Sequence, residues 1–129
     1  MNGRFLLDTN IVVGVFADDP AIRRRLEQRA EVLLSVVVLG ELYSGAQRSG
    51  QVDDNLRRIH RLLAESVVLA CDVGTAYEYG TVRNELRLKG RPIPENDIWL
   101  AAHARQHNLT LVSRDRHFSE VDRLKWEQG

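Results

Sequence analysis

Four carboxylates stand where an α/β chain could bring acids together: Asp8, Glu41, Asp97 and Asp115. Asp8 follows the apolar run Phe5-Leu6-Leu7 and begins Asp8-Thr9-Asn10, a segment able to open a helix. An Asp there is also an ordinary N-cap. Asp115 follows Thr110-Leu111-Val112 after Ser113 and Arg114, where a plain polar turn residue is the commoner reading. Glu41 shares a helical stripe with Val37 and Val38 behind it and Ser44 and Gly45 ahead. Two β-branched residues draw that stripe inward, and two small ones leave room beside the carboxylate. A carboxylate buried in this way needs a cation or an Arg for company. Asp97 heads the stripe Leu100, Ala101 and Ala104, so its carboxylate is expected to lean inward, although a helix N-terminus alone would favour it.

Gathered at one place, bare carboxylates repel and some take up protons. A hard divalent cation removes the conflict. Mg²⁺ prefers oxygen ligands, keeps several waters and commonly joins one or two carboxylates to a substrate phosphate. Ions about 3.5–4 Å apart can activate water and stabilise the leaving oxygen of a phosphodiester. Other chemistries fit less well. His103 and His107 lie four apart on one helical segment, but Ala104-Arg105-Gln106 between them excludes the His-Glu-x-x-His zinc pattern, and a third ligand is not evident. Cys71 reads as a packing residue rather than a nucleophile. His117, two residues beyond Asp115, could touch a substrate or stabilise the turn.

Short apolar runs alternate with amphipathic helical stretches. Strands are expected at Phe5–Leu7, Val32–Leu34, Val67–Leu69 and Thr110–Val112, with a short fifth at Leu124–Trp126. Pro20 suits a first helical turn, followed by Ile22, Leu26 and Ala30 at helical spacing. A second helix is expected from about Ser35 to Gln47. A third carries the stripe Val52, Leu56, Ile59, Leu62 and Leu63. Asp72 reads as the N-cap of a long helix that Gly90 ends. Arg91-Pro92-Ile93-Pro94 is a stiff connector, and Asn96 is expected to cap a helix from about Asp97 to His107. Strands separated by helices form parallel βαβ units. The strands are nearly all apolar, as when helices cover both faces of a sheet. Ligands of such sheets bind beyond the carboxyl ends of the strands, where the four acids would lie.

The chain has 129 residues, 43% of them apolar and 28% charged, which is the balance of one globular domain. A single Cys excludes a disulfide framework and suits a reducing cytosol. The longest nearly apolar run, Val32 to Gly40, is too short to span a bilayer, and Asp8 interrupts the first apolar stretch where a signal peptide would need continuity. Basic and acidic residues balance at 18 each, so no overall positive charge argues for nucleic acid. Yet all the basic residues except Lys89 and Lys125 are Arg, the residue of bidentate phosphate contacts, a bias that genome composition explains equally well. Arg23, Arg24, Arg25 and Arg29 cluster, as do Arg57, Arg58 and Arg61; both read as solvated faces. Arg83, Arg87 and Arg91, with Lys89, flank the path toward Asp97 and are the best candidates for phosphate contacts. Tyr79 and Trp99 could stack on bases, although packing or a subunit contact accounts for them as well.

The motifs in chain order resemble the PIN-domain ribonucleases, specifically the VapC-type toxins of toxin–antitoxin modules. Leu6-Leu7-Asp8-Thr9-Asn10 resembles the family's first acidic motif and Leu39-Gly40-Glu41-Leu42 its second. Pro94-Glu95-Asn96-Asp97-Ile98-Trp99-Leu100-Ala101-Ala102 resembles its third, and Leu111-Val112-Ser113-Arg114-Asp115-Arg116-His117-Phe118 its fourth. The resemblance covers essentially the whole chain. It implies one PIN domain over residues 1–129, with a PIN-like α/β fold: a central parallel sheet of four to five short strands flanked by helices on both faces.

The resemblance further implies that Asp8, Glu41, Asp97 and Asp115 are the catalytic acids and hold Mg²⁺, or Mn²⁺. Asn10 and Ser113 would support the site. Ser113 and Arg114 stand where the family commonly has Thr and Asn, and Glu95 is an extra acid better read as a solvent-exposed connector residue. The implied activity is cleavage of RNA phosphodiesters by metal-activated water, by a cytoplasmic homodimer held in check by a VapB-type antitoxin. A PIN nuclease of RNA processing without an antitoxin shares this chemistry. A different Mg²⁺-dependent phosphohydrolase would use Asp8 as nucleophile, but the second Asp expected two positions on is replaced by Asn10. A PIN-like binding module without catalysis would not need all four acids.

Overall fold

A computed structural model of the chain describes residues 3–27 and 31–129. Five strands, β1 (Arg4–Leu7), β2 (Glu31–Ser35), β3 (Val67–Leu69), β4 (Thr110–Ser113) and β5 (Lys125–Gln128), form one sheet in the order β3-β2-β1-β4-β5. Every pairing is parallel, with Phe5 opposite Val32 and Leu7 opposite Val112. Among the described residues six α-helices connect the strands: α1 (Thr9–Phe16), α2 (Pro20–Glu27), α3 (Val36–Gln47), α4 (Val52–Ala64), α5 (Val73–Lys89) and α6 (Glu95–His107). Ala30 and Arg29 lie outside the described residues.

The chain builds outward from β1 through β2 to β3, then crosses to the other side of β1 for β4 and β5. The direction of winding therefore reverses between β1 and β4, and a crevice opens at the carboxyl ends of those strands. Leu6, Leu7, Leu33, Leu34, Leu111 and Val112 are buried on the three inner strands. The edges differ from the expectation of strands covered on both faces. Val67 and Val68 on β3, an edge strand, are 44% and 40% exposed.

Several elements reach further than expected. Strand β4 includes Ser113, and β5 runs from Lys125 to Gln128. Helix α6 starts at Glu95 with Pro94 as its N-cap, not at Asp97 behind Asn96. The Pro94 carbonyl accepts from the N–H groups of Asp97 (3.0 Å) and Ile98 (3.2 Å), so Asp97 sits inside the first turn. A 3₁₀ turn at Arg116–Glu120 has no counterpart in the sequence reading.

Packing holds the site-bearing helices in place. Ala101, Ala102 and Ala104 are buried on α6, and their small side chains permit a close approach to the rest of the core. Arg105, whose side chain is only 8% exposed, reaches from α6 to Glu78 (3.2 Å) and Glu85 (2.8 Å) on α5. Helix α5 begins with a capping box between Asp72 and Thr75 and ends at Gly90, whose φ of 68° is a conformation that favours glycine.

Ser35 ties α3 to the core. Its Oγ caps the helix by accepting from Val37 N at 3.0 Å and lies 2.9 Å from His103 Nδ1. His103 Nε2 faces the Ala70 carbonyl at 3.2 Å. A carbonyl only accepts, so Nε2 carries the proton and Nδ1 accepts from the Ser35 hydroxyl. Burial holds the His103 pKa below its usual range, so the ring is neutral and structural. Ser35→Ala removes a cap worth about 1 kcal/mol and leaves a buried ring nitrogen unpaired at a cost of about 1–3 kcal/mol. We expect it to lower stability by about 2–4 kcal/mol, read from the urea midpoint; an unchanged midpoint would refute this account.

Candidate metal centre

Asp8 leaves the end of β1 and caps α1. Its N–H continues the sheet ladder to the Val112 carbonyl at 3.0 Å, which fixes it beside the end of β4. Its Oδ1 accepts from Thr9 N at 2.7 Å and its Oδ2 from the Ser113 hydroxyl at 2.7 Å. Ser113 Oγ in turn accepts from Asp115 N at 3.0 Å, so one hydroxyl orients both acids. Asn10 Nδ2 lies 3.4 Å from Asp8 Oδ2, Ser113 Oγ and Asp115 Oδ2, while its Oδ1 accepts from Arg114 N at 3.1 Å. Asn10 and Ser113 thus bind the two strand ends together.

Asp97 approaches from the first turn of α6. Glu41 approaches from α3 and accepts from the Thr9 hydroxyl at 2.7 Å. The four predicted acids line one open cleft of about 670 Å³, together with Thr9, Asn10 and Glu95. Glu41 departs from expectation in its burial: it is exposed on the rim, and its partner is a hydroxyl rather than a cation. Helix α3 turns Gly40 and Glu41 toward solvent while Val38 and Leu42 face the core.

Crowding shows in the protonation of the site. Burial raises the Asp8 pKa; hydrogen bonds from Ser113 and Thr9 oppose this, and the charges of Asp115 and Glu41 add to it. Asp97 is pushed up to about 6, first by burial and then by the Asp8 charge, against the opposing influence of His117. Carboxylate oxygens from three Asp and one Glu, aimed into one cleft and short of positive charge, form a donor set that fits a hard divalent cation.

The remaining predicted residues fall outside this centre. Arg83 pairs with Glu95 at 3.2 Å and donates to the Tyr79 hydroxyl at 2.9 Å, and Tyr79 also bonds Glu95. Glu95 is therefore engaged on the cleft rim rather than free for a metal. Arg87 donates to Asn84 at 2.7 Å, and Arg91 is exposed; neither lines the cleft. Arg114 pairs with Asp19 at 2.6 Å, and Lys89 with Asp122 at 2.8 Å. Tyr79 and Trp99 stack on each other at 4.0 Å. Cys71 is exposed instead of packed, and burial of its thiol together with the Asp72 charge raises its pKa, which disfavours a nucleophilic thiolate.

Sequence comparison decides the lineage. The family model described as PIN domain matches residues 5–124. The chain belongs to the PIN domain family. This PIN domain is similar to Ribonuclease VapC2 of Haemophilus influenzae, with 37% identity over 96% of both chains. It is 35% identical to the tRNA(fMet)-specific endonuclease VapC of Shigella flexneri, again over 96% of each. In structure it matches VapBC2 from Rickettsia felis bound to a DNA fragment from the promoter, with a TM-score of 0.90, 27% identity and 98% coverage of both chains. The parallel sheet with flanking helices is thus the PIN-like fold expected from the motifs.

Two residues of this PIN domain's centre make contacts that the sequence reading did not assign to them. Thr9, noticed only as part of a helix opening, restrains Glu41. His117 lies 2.8 Å from Asp97 Oδ2, a contact that depends on the unforeseen 3₁₀ turn.

Proposed function

We propose that this PIN domain is a divalent-metal-dependent endoribonuclease, the toxin of a VapBC-type toxin–antitoxin pair. The observation that carries the reading is the convergence of Asp8, Asp97, Asp115 and Glu41 on one cleft at the β1/β4 switch point, in a chain whose relatives are named ribonucleases. Asp8, Asp97 and Asp115 would hold the ion, Mg²⁺ or Mn²⁺, with Glu41 at the open side. When bound, such an ion supplies a nucleophile at neutral pH and neutralises the phosphate.

The protein's own groups do the rest. Thr9 N and Ser113 Oγ hold the Asp8 carboxylate in one orientation. Asn10 keeps Asp115 at a fixed distance from Asp8. Glu41 has one oxygen occupied by Thr9 and leaves the other to accept a hydrogen bond from water entering the cleft. Without a cation, four carboxylates repel a polyanion, so RNA binding and metal binding go together. Arg83, Arg87 and Arg91 are proposed as more distant phosphate contacts along α5 and its exit.

A second groove, of about 580 Å³, adjoins the cleft through Thr9 and Glu41. Val13, Phe16, Leu42 and Ile59 give it an apolar floor, with Arg48 and Arg58 also lining it. Such a surface suits an apolar segment with acidic flanks, and we assign it to a VapB-type antitoxin. Val73 and Tyr77, 86% and 73% exposed on one face of α5, supply apolar surface for a homodimer. Among the described residues no helix is long and apolar enough to cross a membrane, and the proposed setting is the cytoplasm, where the RNA is.

The test is incubation of purified, antitoxin-free protein with total RNA in Mg²⁺, in Mn²⁺ and in chelator. Discrete fragments should form with either metal and not with chelator. Intact RNA under all conditions, from protein that melts cooperatively, would overturn the reading, as would cleavage that chelator leaves untouched.

A further inference from the structure

His117 stands at the metal centre without a role among the four acids. It lies in the 3₁₀ turn that follows Asp115, next to Phe118, which is fully buried and anchors the turn. The two rings pack at 4.8 Å, which limits where the imidazole can point. The side chain is 30% exposed, yet Nε2 itself is shielded from solvent and has no hydrogen-bond partner. Its neighbour is Asp97 Oδ2 at 2.8 Å. That separation is within hydrogen-bond range, but the two atoms are not aligned as donor and acceptor. One ring nitrogen of His117 and one oxygen each of Asp97 and Asp115 all lie within 4.8 Å of one another.

Neighbouring ligands of a single ion have this relation. Two atoms about 2.1 Å from a metal and at right angles to each other are about 3 Å apart, and neither points at the other. An ordinary His–Asp pair would instead align N–H with oxygen. We infer that His117 Nε2 is a direct ligand of the ion held by Asp97 and Asp115, which makes the centre a mixed nitrogen–oxygen site. The inference rests on the metal-dependent reading above.

The consequence is metal choice. Mg²⁺ seeks oxygen and near-ideal octahedral geometry, whereas imidazole suits the transition metals. His117 therefore tilts the centre toward Mn²⁺ relative to an all-oxygen set. His117 contacts Asp97, and the contacts of Asp8 with Thr9 and Ser113 do not involve it.

Electron paramagnetic resonance of bound Mn²⁺, with echo-envelope detection of ¹⁴N, reads this directly at pH 7.5 and needs no RNA. The wild-type protein should show coupling to one imidazole nitrogen. The coupling should vanish in His117→Ala and His117→Asp. Removing the ligand should weaken Mn²⁺ binding at least about tenfold. His117→Asp should restore binding and move the Mn²⁺/Mg²⁺ affinity ratio about tenfold toward Mg²⁺. Metal-free melting of both variants checks the fold, which Phe118 rather than His117 anchors. Bound Mn²⁺ without nitrogen coupling, or with coupling that survives both substitutions, overturns the assignment while leaving a metal-dependent nuclease intact. Failure of the wild type to bind Mn²⁺ at all overturns both.

Discussion

Asp97→Asn should reduce RNA cleavage at least about a thousandfold and leave the fold intact. The substitution keeps the shape of the side chain and removes its charge. Asp97 donates nothing to the sheet and caps no helix, since Pro94 occupies the N-cap of α6. Its carboxylate is therefore free to serve the centre alone. Asp8→Asn is a harsher test of the same idea. Both Asp8 oxygens accept hydrogen bonds, from Thr9 N and from Ser113 Oγ, so an amide must set its NH₂ against one of these donors. Loss of activity in Asp8→Asn mixes lost metal binding with a disturbed strand end, whereas in Asp97→Asn it does not. Circular dichroism and melting of the variant, beside a fragment assay in Mn²⁺, make the measurement. Full cleavage by well-folded Asp97→Asn would remove Asp97 from the centre.

The same variant should be more stable than the parent when no metal is present. In the folded protein the Asp97 carboxyl titrates near pH 6, above the ordinary value of 3.8, chiefly through burial and then through the charge of Asp8. Between those two pH values the folded state binds more protons than the unfolded chain. Stability from this group therefore falls as pH rises from about 4 to 6 and stays low above. A shift of this size corresponds to at most about 3 kcal/mol. In a cleft open to water about half of that is expected to register. Asn carries no charge and escapes the penalty. In chelator at pH 7.5 Asp97→Asn should melt several degrees above the parent, and near pH 4 the two should coincide. Saturating Mn²⁺ should reverse the order, because the ion binds the folded parent far better. A parent that outlasts the variant in chelator at pH 7.5 would show that the acids do not strain the fold.

Asp8 and Asp115 were open to sequence reading because each lies just beyond a short, mostly apolar run, and parallel sheets put chemistry there. The structure adds the reason they meet: β1 pairs with β4, so the residues at their ends share a hydrogen-bond network. Asp97 was legible from the Ala-rich stripe it heads. The exposure of Glu41 was not, since a helical stripe says which residues share a face but not where the neighbouring elements stop. Val67 and Val68 make the same point for strands: an apolar run does not reveal that it will be an edge. The position of His117 depends on one turn of 3₁₀ helix held by Phe118, and so short an element leaves no periodic trace. Ser35 stood at the expected start of a helix and proves to be its N-cap, but its tie to His103 spans 68 residues and is invisible locally.

The pairing of β1 with β4 also governs when the centre can exist. Ser113 and Asp8 are 105 residues apart, and their contact needs β4 in place beside β1. A ribosome adds about 5–20 residues each second, starting from the N-terminus. Asp8 and Glu41 thus emerge many seconds before Asp97 and Asp115 can join them. During synthesis the growing chain first holds half of these acids without the cleft they line, and a partner made alongside has that interval to be ready.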